Sequence, residues 1–185
     1  MLIILDRDGV INEYDGNYIC CADDWHPIPG SIEAVARLCN AGHRIAIATN
    51  QSGIARGFYG LEELEAMHEK LECLVEAAGG CIDIIAYCPH HPDDHCHCRK
   101  PLTGLLEQIQ SHYRLDSLDG AIMVGDSRKD LEAGVAGHCQ PVLVRTGNGQ
   151  DTERHLDARP IPGTEVVVYD NLSNFTDALL SAEGW

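Results

Sequence analysis

Two aspartates, separated by one residue, follow a short apolar run near the start of the chain. The run is Leu2-Ile3-Ile4-Leu5, and the acids are Asp6 and Asp8. Side chains two residues apart project from the same side of a strand, and Gly9 then allows the chain to turn sharply. Two carboxylates at one strand end suit Mg²⁺, which takes oxygen ligands, although Asp-x-Asp alone is also common in solvated turns.

Further polar side chains follow three other apolar runs, at the points where those runs end. Thr49-Asn50-Gln51 follows the second run, the segment Cys88 to Lys100 follows the third, and Gly125-Asp126 with Asp130 follows the fourth. In an open parallel sheet, ligands bind outside the carboxyl ends of the strands. Asp126 could therefore complete the magnesium site that the first two aspartates begin.

A second group of metal-ligating side chains lies after the third run. Cys88, His90, Cys96 and Cys98 offer three sulfur ligands and one imidazole, a set typical of a closed, structural zinc site. The loop between them contains almost no apolar residue, so zinc would replace a core there. Spacing alone leaves two alternatives open, which are reduced cysteines in a turn and ligation by another histidine. The other histidines of the loop are His91, His95 and His97.

Short apolar runs alternate with amphipathic segments along the chain, which is the order of strands and helices in an α/β fold. Buried parallel strands are predicted over Leu2 to Asp6, Arg44 to Ala48, Ile82 to Tyr87, Ala121 to Val124, Pro141 to Val144 and Glu165 to Val168. Helices are predicted over Ile32 to Cys39 with Ser31 as the N-cap, Leu61 to Ala78, Gly104 to Tyr113, Asp130 to Ala136 and Leu172 to Ala182.

This order predicts a Rossmann-like parallel sheet with helices on both of its faces. Apolar residues make up 44% of the 185-residue chain, which is enough for one aliphatic core. The sequence contains no internal repeat and no linker long enough to separate two cores. We therefore expect one domain over residues 1–185.

The charge balance excludes two classes of partner. Thirteen Lys and Arg against twenty-nine Asp and Glu give a net charge of −16, which repels nucleic acid and anionic membranes. No apolar run approaches the roughly 20 residues of a membrane span, and Asp6 interrupts the apolar start too early for a signal peptide. We therefore expect a cytoplasmic protein, and we expect it to be a monomer because no long exposed apolar stripe is evident.

Thiols stay reduced in the cytoplasm, so nine cysteines favour metal ligation over disulfides. Six of them lie outside the zinc group and are predicted to be small buried side chains or incidental thiols. They are Cys20, Cys21, Cys39, Cys73, Cys81 and Cys139.

Four sets of residues, each after a predicted strand, resemble the motifs of the haloacid dehalogenase (HAD) superfamily of phosphatases. They are Asp6-Arg7-Asp8-Gly9-Val10, Thr49, Lys100, and Gly125-Asp126 through Asp130. Asn50 to Gly57 and Cys88 to Pro101 further resemble the heptose bisphosphate phosphatase branch. Members of that branch remove the 7-phosphate of D-glycero-D-manno-heptose 1,7-bisphosphate, on the route to ADP-heptose and the lipopolysaccharide core. The resemblance extends from residue 2 to about residue 147 and supports His90 as the zinc ligand.

The resemblance implies covalent catalysis that depends on Mg²⁺. Asp6 would be the nucleophile that forms an aspartyl phosphate, which splits one slow hydrolysis into two easier steps. Asp8 would protonate the departing sugar oxygen and later take a proton from water. The resemblance assigns Mg²⁺ to Asp6, Asp126 and the main-chain carbonyl of Asp8.

It also implies a set of side chains that bind the phosphorylated sugar. A phosphate dianion repels an attacking carboxylate, so the site must neutralise the phosphoryl group first, and Mg²⁺ with Lys100 could do so. Thr49 would donate its hydroxyl to a phosphoryl oxygen. Asn50, Gln51 and Arg99 would complete the contacts with the substrate.

Three charged residues beside these motifs have no single assignment. Asp130 either orients Lys100 or a metal-bound water, or is an acid favoured at a helix N-terminus by the helix dipole. Arg56 and Lys129 stay without a role.

Some HAD enzymes carry an additional cap domain that closes over the substrate. The two usual insertion places, Val10 to Ala48 and Gly53 to Cys98, are already filled by predicted helices and strands. We therefore expect a capless enzyme. Its specificity would come from Asn12 to Asn17, Asn50 to Gly57 and the zinc loop.

Two other functions stay open. The five residues between His90 and Cys96 also resemble the spacing in histidinol phosphate phosphatases. A noncatalytic zinc-binding module is the alternative from another class, although the acidic charge counts against nucleic acid as its partner.

Overall fold

A six-stranded parallel sheet forms the centre of the computed structural model, which describes residues 1–184. The strands are β1 (Leu2–Leu5), β2 (Arg44–Asn50), β3 (Ile84–Cys88), β4 (Ile122–Gly125), β5 (Gln140–Val144) and β6 (Val167–Tyr169). Their order across the sheet is β3-β2-β1-β4-β5-β6, and every neighbouring pair is parallel. The predicted Rossmann-like fold is confirmed.

All six predicted strands are present, and their ends differ from the predicted ones by at most two residues. β2 extends beyond its prediction because Thr49 and Asn50 pair with Tyr87 and Cys88 of β3. β1 ends at Leu5, so the first aspartate lies just beyond the strand.

Helices cover the chain between the strands. They are α1 (Ser31–Asn40), α2 (Leu61–Ala77), α3 (Gly104–Tyr113), α4 (Arg128–Ala136), α5 (Gly149–Ala158) and α6 (Leu172–Glu183). The prediction that Ser31 caps α1 is wrong. Gly30 holds the N-cap position with φ +83°, and the Ser31 hydroxyl donates instead to the Ile11 carbonyl at 2.6 Å.

α5 was not predicted from the sequence. Its buried residues are Gly149 and Thr152, so it lacks the apolar stripe that marks the other helices. A short 3₁₀ helix, Pro92–Asp94, also lies in the zinc loop.

The strands bury apolar side chains on both faces of the sheet, as the continuous apolar runs indicate. In β1, Ile3 and Leu5 pack in one cluster with α1, α2 and α6. Leu2 and Ile4 pack in a second cluster on the opposite face with α3. Helices therefore cover both faces, as predicted.

The order of strands places the polar motifs together. β1 lies between β2 and β4, so the segments that follow these three strands leave the sheet side by side. This is the topological switch point of the sheet, where ligand sites form in open α/β folds.

Within residues 1–184, neither usual insertion place holds a separate domain. The segment between β1 and β2 contains a loop and α1, and the segment between β2 and β3 contains a loop and α2. The capless prediction is confirmed for this part of the chain. None of its helices combines the length and apolar character needed to cross a bilayer.

Candidate active site

Three buried carboxylates meet at the carboxyl edge of the sheet. One oxygen each of Asp6, Asp126 and Asp130 lies within 4.8 Å of the others. Burial, with the charge of Asp130, raises the pKa of Asp6 to about 7 and that of Asp126 well above its usual range. The three acids repel one another, and a cation would relieve that repulsion.

The buried ammonium of Lys100 supplies part of that positive charge. Its Nζ lies 3.0 Å from Asp6 Oδ1 and 2.6 Å from Asp130 Oδ1, and it donates to the Ala48 carbonyl at 2.5 Å. Burial alone would lower the pKa of Lys100, but Asp130 and Asp6 raise it above its ordinary value. Lys100 therefore remains charged beside Asp6.

One oxygen of Asp6 is held and the other is free. Oδ1 accepts hydrogen bonds from the Arg7 main-chain N–H at 2.8 Å and from Lys100. In the described part of the chain no hydrogen-bond donor reaches Oδ2. A carboxylate fixed by one oxygen can present the other to an electrophile.

Asp8 lies in a different environment, although only one residue separates it from Asp6. Its two oxygens accept four hydrogen bonds, two from the Arg7 guanidinium and one each from the Asn12 and Gln51 amides. Burial opposes ionisation, but Arg7 and these hydrogen bonds hold the pKa of Asp8 below its usual range. The pKa of Asp6 is therefore raised and that of Asp8 lowered, so the two acids titrate apart.

The carboxyl end of β2 and the residue after it bring Thr49, Asn50 and Gln51 to the site, but two of the three make contacts that the sequence did not predict. Thr49 accepts a hydrogen bond from Gln51 Nε2 at 2.8 Å, so its own hydroxyl hydrogen is available to donate. Asn50 exchanges two hydrogen bonds with the main chain of Lys100, at 3.1 and 3.0 Å. Gln51 holds Asp8 and Thr49 and accepts from the Tyr59 hydroxyl at 2.5 Å. The Asn50 and Gln51 amides thus orient Lys100 and Asp8.

Two glycines from distant segments allow Asp126 to approach the backbone. A Cβ atom at Gly9 would lie 2.2 Å from Asp126 Oδ2, and one at Gly147 would lie 2.3 Å from it. Both glycines have positive φ, +86° and +56°. The same oxygen accepts from the Asn148 main-chain N–H at 2.8 Å. No side chain fits at either position without displacing Asp126.

Both interpretations of Asp130 hold at once. Its Oδ2 accepts from the main chain and hydroxyl of Ser127, at 3.0 and 2.6 Å, in a capping box at the start of α4. Its Oδ1 contacts Lys100. The helix start thereby fixes the acid that orients the ammonium.

A cavity of about 320 Å³ opens above these groups. It is lined by Asp6, Asp8, Thr49, Asn50, Gln51, Arg99, Lys100, Asp126, Lys129 and Asp130, all of which the sequence singled out. Arg56 does not line it, and its guanidinium lies 6.0 Å from the centre of the Tyr18 ring. Arg99 contributes a buried Nη1 with no partner among the described residues, which leaves that nitrogen available to an anion.

Three further lining residues belong to predicted segments, namely Tyr14 and Ser52 in the specificity loops and Ser127 in the fourth motif. Sequence reasoning missed Tyr18, Ile19, Tyr59 and Asn148. Tyr14 and Tyr18 belong to the loop after β1, and the motif beginning at Asp6 was the available signal for that loop. Asn148 follows β5, where no motif marked the strand end.

The zinc group forms a compact cluster. Cys88 Sγ lies 3.6 Å from both His90 Nδ1 and Cys96 Sγ, while Cys98 Sγ lies 3.2 Å from His90 Nδ1 and 3.7 Å from Cys96 Sγ. Zinc–sulfur bonds of about 2.3 Å in a tetrahedron give sulfur–sulfur separations of about 3.8 Å. The four donors fit a tetrahedral zinc ion.

Burial and mutual hydrogen bonds set the acidities of the thiols in this cluster. Burial and the neighbouring Cys98 raise the pKa of Cys88 to about 12. Burial opposes the ionisation of Cys96, but hydrogen bonds from the Arg99 main chain and from its neighbours lower its pKa to about 7. A bound zinc ion would stabilise all three thiolates.

The competing histidines lie outside this cluster. His91 contacts Asp93, and His97 pairs with Glu107 at 2.8 Å. All nine cysteines lie within the described residues and are free thiols. Of the six outside the cluster, Cys139 is buried, whereas Cys73 and Cys81 are exposed.

Relatives of known name match nearly the whole chain. D-glycero-beta-D-manno-heptose-1,7-bisphosphate 7-phosphatase of Pseudomonas aeruginosa is 55% identical over 97% of both chains. The enzyme of the same name from Pseudomonas putida is 50% identical over 97% of this chain and 99% of its own. A HAD hydrolase-like family model matches residues 97–174.

The chain belongs to the heptose 1,7-bisphosphate 7-phosphatase family of HAD hydrolases. It is therefore a phosphoric monoester hydrolase, and the alternative of a noncatalytic zinc module is wrong. A solved structure of this family, D,D-heptose 1,7-bisphosphate phosphatase from Bordetella bronchiseptica, superposes with a TM-score of 0.91. It is 42% identical, each chain covers 98% of the other, and that protein was crystallised with magnesium and phosphate.

Proposed function

We propose that this chain is a Mg²⁺-dependent phosphatase that removes the 7-phosphate of D-glycero-β-D-manno-heptose 1,7-bisphosphate. It would act in the cytoplasm, as one domain over residues 1–185, on the route to ADP-heptose and the lipopolysaccharide core. The observation that carries the chemistry is the free oxygen of Asp6 beside the buried Lys100 ammonium, in the cavity at the switch point. The names of its relatives support the substrate and its β anomer.

The donor atoms of the acidic cluster fit Mg²⁺, because they are hard oxygens, and burial together with the charge of Asp130 raises the pKa values of Asp6 and Asp126. Asp6, Asp126 and the main-chain carbonyl of Asp8 would hold the ion, and Asp130 would orient a water bound to it. When bound, Mg²⁺ neutralises charge on the phosphoryl oxygens.

In the first step, Asp6 Oδ2 attacks phosphorus in line with the C7 oxygen. The new bond joins Asp6 to phosphorus, and the bond from phosphorus to the sugar oxygen breaks. Asp8 in its protonated form gives the departing oxygen its proton. Lys100 and the Thr49 hydroxyl stabilise the charge on the phosphoryl oxygens.

In the second step, water attacks the phosphorus of the aspartyl phosphate. Asp8 accepts the proton of that water, and the bond from Asp6 to phosphorus breaks, which releases inorganic phosphate. The four hydrogen bonds that Asp8 accepts favour its ionised form, which this step requires.

We expect heptose 1,7-bisphosphate to be hydrolysed with a higher kcat/KM than histidinol phosphate, and we expect Arg99 to contribute to that preference. A capless site relies on distant contacts to hold its substrate, and Arg99 offers a nitrogen without a protein partner. Arg99→Ala should lower kcat/KM for heptose bisphosphate by about 10- to 100-fold, and should lower it far less for p-nitrophenyl phosphate.

Arg44→Ala is the matched control, because Arg44 begins β2 at the end of the strand opposite to the cavity. Its kcat/KM values should match those of the unmodified enzyme. A higher kcat/KM for histidinol phosphate than for heptose 1,7-bisphosphate would contradict the proposed substrate. Equal losses on both phosphates in Arg99→Ala would contradict the role of Arg99.

We further expect two metals of unequal exchange rate. Protein purified without chelator should contain about one tightly held zinc per chain, whereas brief EDTA treatment should stop turnover by removing exchangeable Mg²⁺. Excess Mg²⁺ should then restore turnover while the zinc content stays unchanged. Elemental analysis of Cys96→Ser should show loss of zinc, and the exposed Cys73→Ser should retain it. Zinc-free native protein would contradict the assignment.

A further inference from the structure

One buried cation has no role in the mechanism above, namely the guanidinium of Arg7. Arg7 is 0% exposed, and arginine is rarely buried unless it is paired. Asp8 is its one ion-pair partner among residues 1–184, and Arg7 Nη1 has no hydrogen-bond partner there. The buried guanidinium of Arg7 therefore forms its ion pair with one carboxylate, that of Asp8.

The contact between them has two points. Arg7 Nε lies 2.9 Å from Asp8 Oδ1, and Nη2 lies 3.2 Å from Oδ2. A planar fork of this kind fixes the orientation of a carboxylate as well as its position. Asn12 and Gln51 each reach only one oxygen of Asp8, at 3.0 Å. Only Arg7 spans both.

The main chain of Arg7 is fixed by the turn that follows β1. Its carbonyl accepts from the amides of Val10, Ile11 and Asn12 at 3.3, 2.9 and 3.2 Å. Its N–H donates to Asp6 Oδ1 at 2.8 Å. The Arg7 side chain therefore starts from a fixed point beside the nucleophile and ends on Asp8.

We propose that Arg7 is a positioning residue that aims the Asp8 carboxylate at the leaving-group oxygen of the substrate. This inference rests on the acid–base role proposed for Asp8. Arg7 does not line the cavity, so loss of its side chain should affect only the steps that use Asp8. Misplacement of a reacting group by about 1 Å lowers rates by about a hundredfold.

The test compares two phosphate esters that differ in their need for a proton. The leaving group of p-nitrophenyl phosphate is p-nitrophenolate, which departs without protonation. The leaving group of glycerol 2-phosphate is an alkoxide, which must be protonated as it departs. Arg7→Lys keeps the positive charge but loses the fork. It should lower kcat/KM for glycerol 2-phosphate at least about tenfold more than for p-nitrophenyl phosphate. Arg7→Gln, an uncharged variant, provides the same comparison should the lysine variant fail to fold.

A double-mutant comparison isolates the route through Asp8. In an Asp8→Asn background, Arg7→Lys should leave the ratio of the two kcat/KM values unchanged. Arg37→Lys is the control, because Arg37 is ion-paired with Asp177 on the helices α1 and α6, outside the cavity. It should leave both kcat/KM values unchanged.

The outcomes separate this inference from the proposed function. A changed ratio in Asp8→Asn with an unchanged ratio in Arg7→Lys would overturn the role of Arg7 alone. An unchanged ratio in Asp8→Asn would overturn the acid–base role of Asp8 and the inference together. Equal losses on both esters in folded Arg7→Lys would mark Arg7 as merely structural.

Discussion

Replacement of Asp6 by asparagine is expected to lower kcat by about four orders of magnitude or more and to leave the chain folded. Asparagine has nearly the same shape but lacks the charge and the nucleophilic oxygen. Loss of the negative charge beside Asp130 relieves repulsion, which offsets the lost contact with Lys100. The measurements are kcat on p-nitrophenyl phosphate and, after an acid quench, the mass of the peptide that contains Asp6.

The unmodified enzyme should yield a phosphorylated Asp6 peptide under turnover, and Asp6→Asn should yield none. Asp116→Asn is the matched control, because Asp116 is an exposed acid in the loop before β4, at the opposite end of the sheet. It should retain full activity. Near-normal turnover in Asp6→Asn would falsify the covalent mechanism.

Replacement of Lys100 by methionine is expected to abolish turnover and to destabilise the fold by about 3–5 kcal/mol. Lys100 is 1% exposed, and its removal leaves Asp6 and Asp130 buried without their counter-ion. The free energy of unfolding should be measured in urea with EDTA present, so that no divalent cation replaces the ammonium. Turnover is measured separately with Mg²⁺.

Two further variants identify the cause of that loss. Lys129→Met removes an exposed lysine from the same cavity and should change stability by no more than about 0.5 kcal/mol. Asp130→Asn in the Lys100→Met background should recover part of the lost stability, because one unpaired charge disappears. Native stability in Lys100→Met would contradict the account of the buried ion pairs.

The order of elements could be predicted because each strand is a continuous apolar run and most helices carry an apolar stripe. The exceptions follow the same physics. α5 is polar and buries little apolar surface, so its sequence contains no apolar stripe. The start of α1 depends on a left-handed glycine at position 30, and nothing local distinguishes that glycine from a serine cap at position 31.

The residues of the site could be identified from the sequence, because their motifs follow strands whose carboxyl ends lie side by side in the sheet. Contacts between those residues could not be predicted. Gln51 and Asn50 had the chemistry of substrate ligands, but their amides bind Asp8 and the Lys100 main chain, which are distant in sequence. Arg7 belongs to a recognised motif, but its burial depends on the turn after β1, whose amides bind the Arg7 carbonyl.

The repulsion among Asp6, Asp126 and Asp130 has a consequence for the life of the protein in the cell. Asp126, which forms no ion pair with Lys100, stays buried beside the other two carboxylates, so the reactive site holds the stability of this fold below its optimum. A divalent cation that binds only the native state stabilises that state. The resistance of the folded enzyme to proteolysis should therefore follow the metal supply of its host.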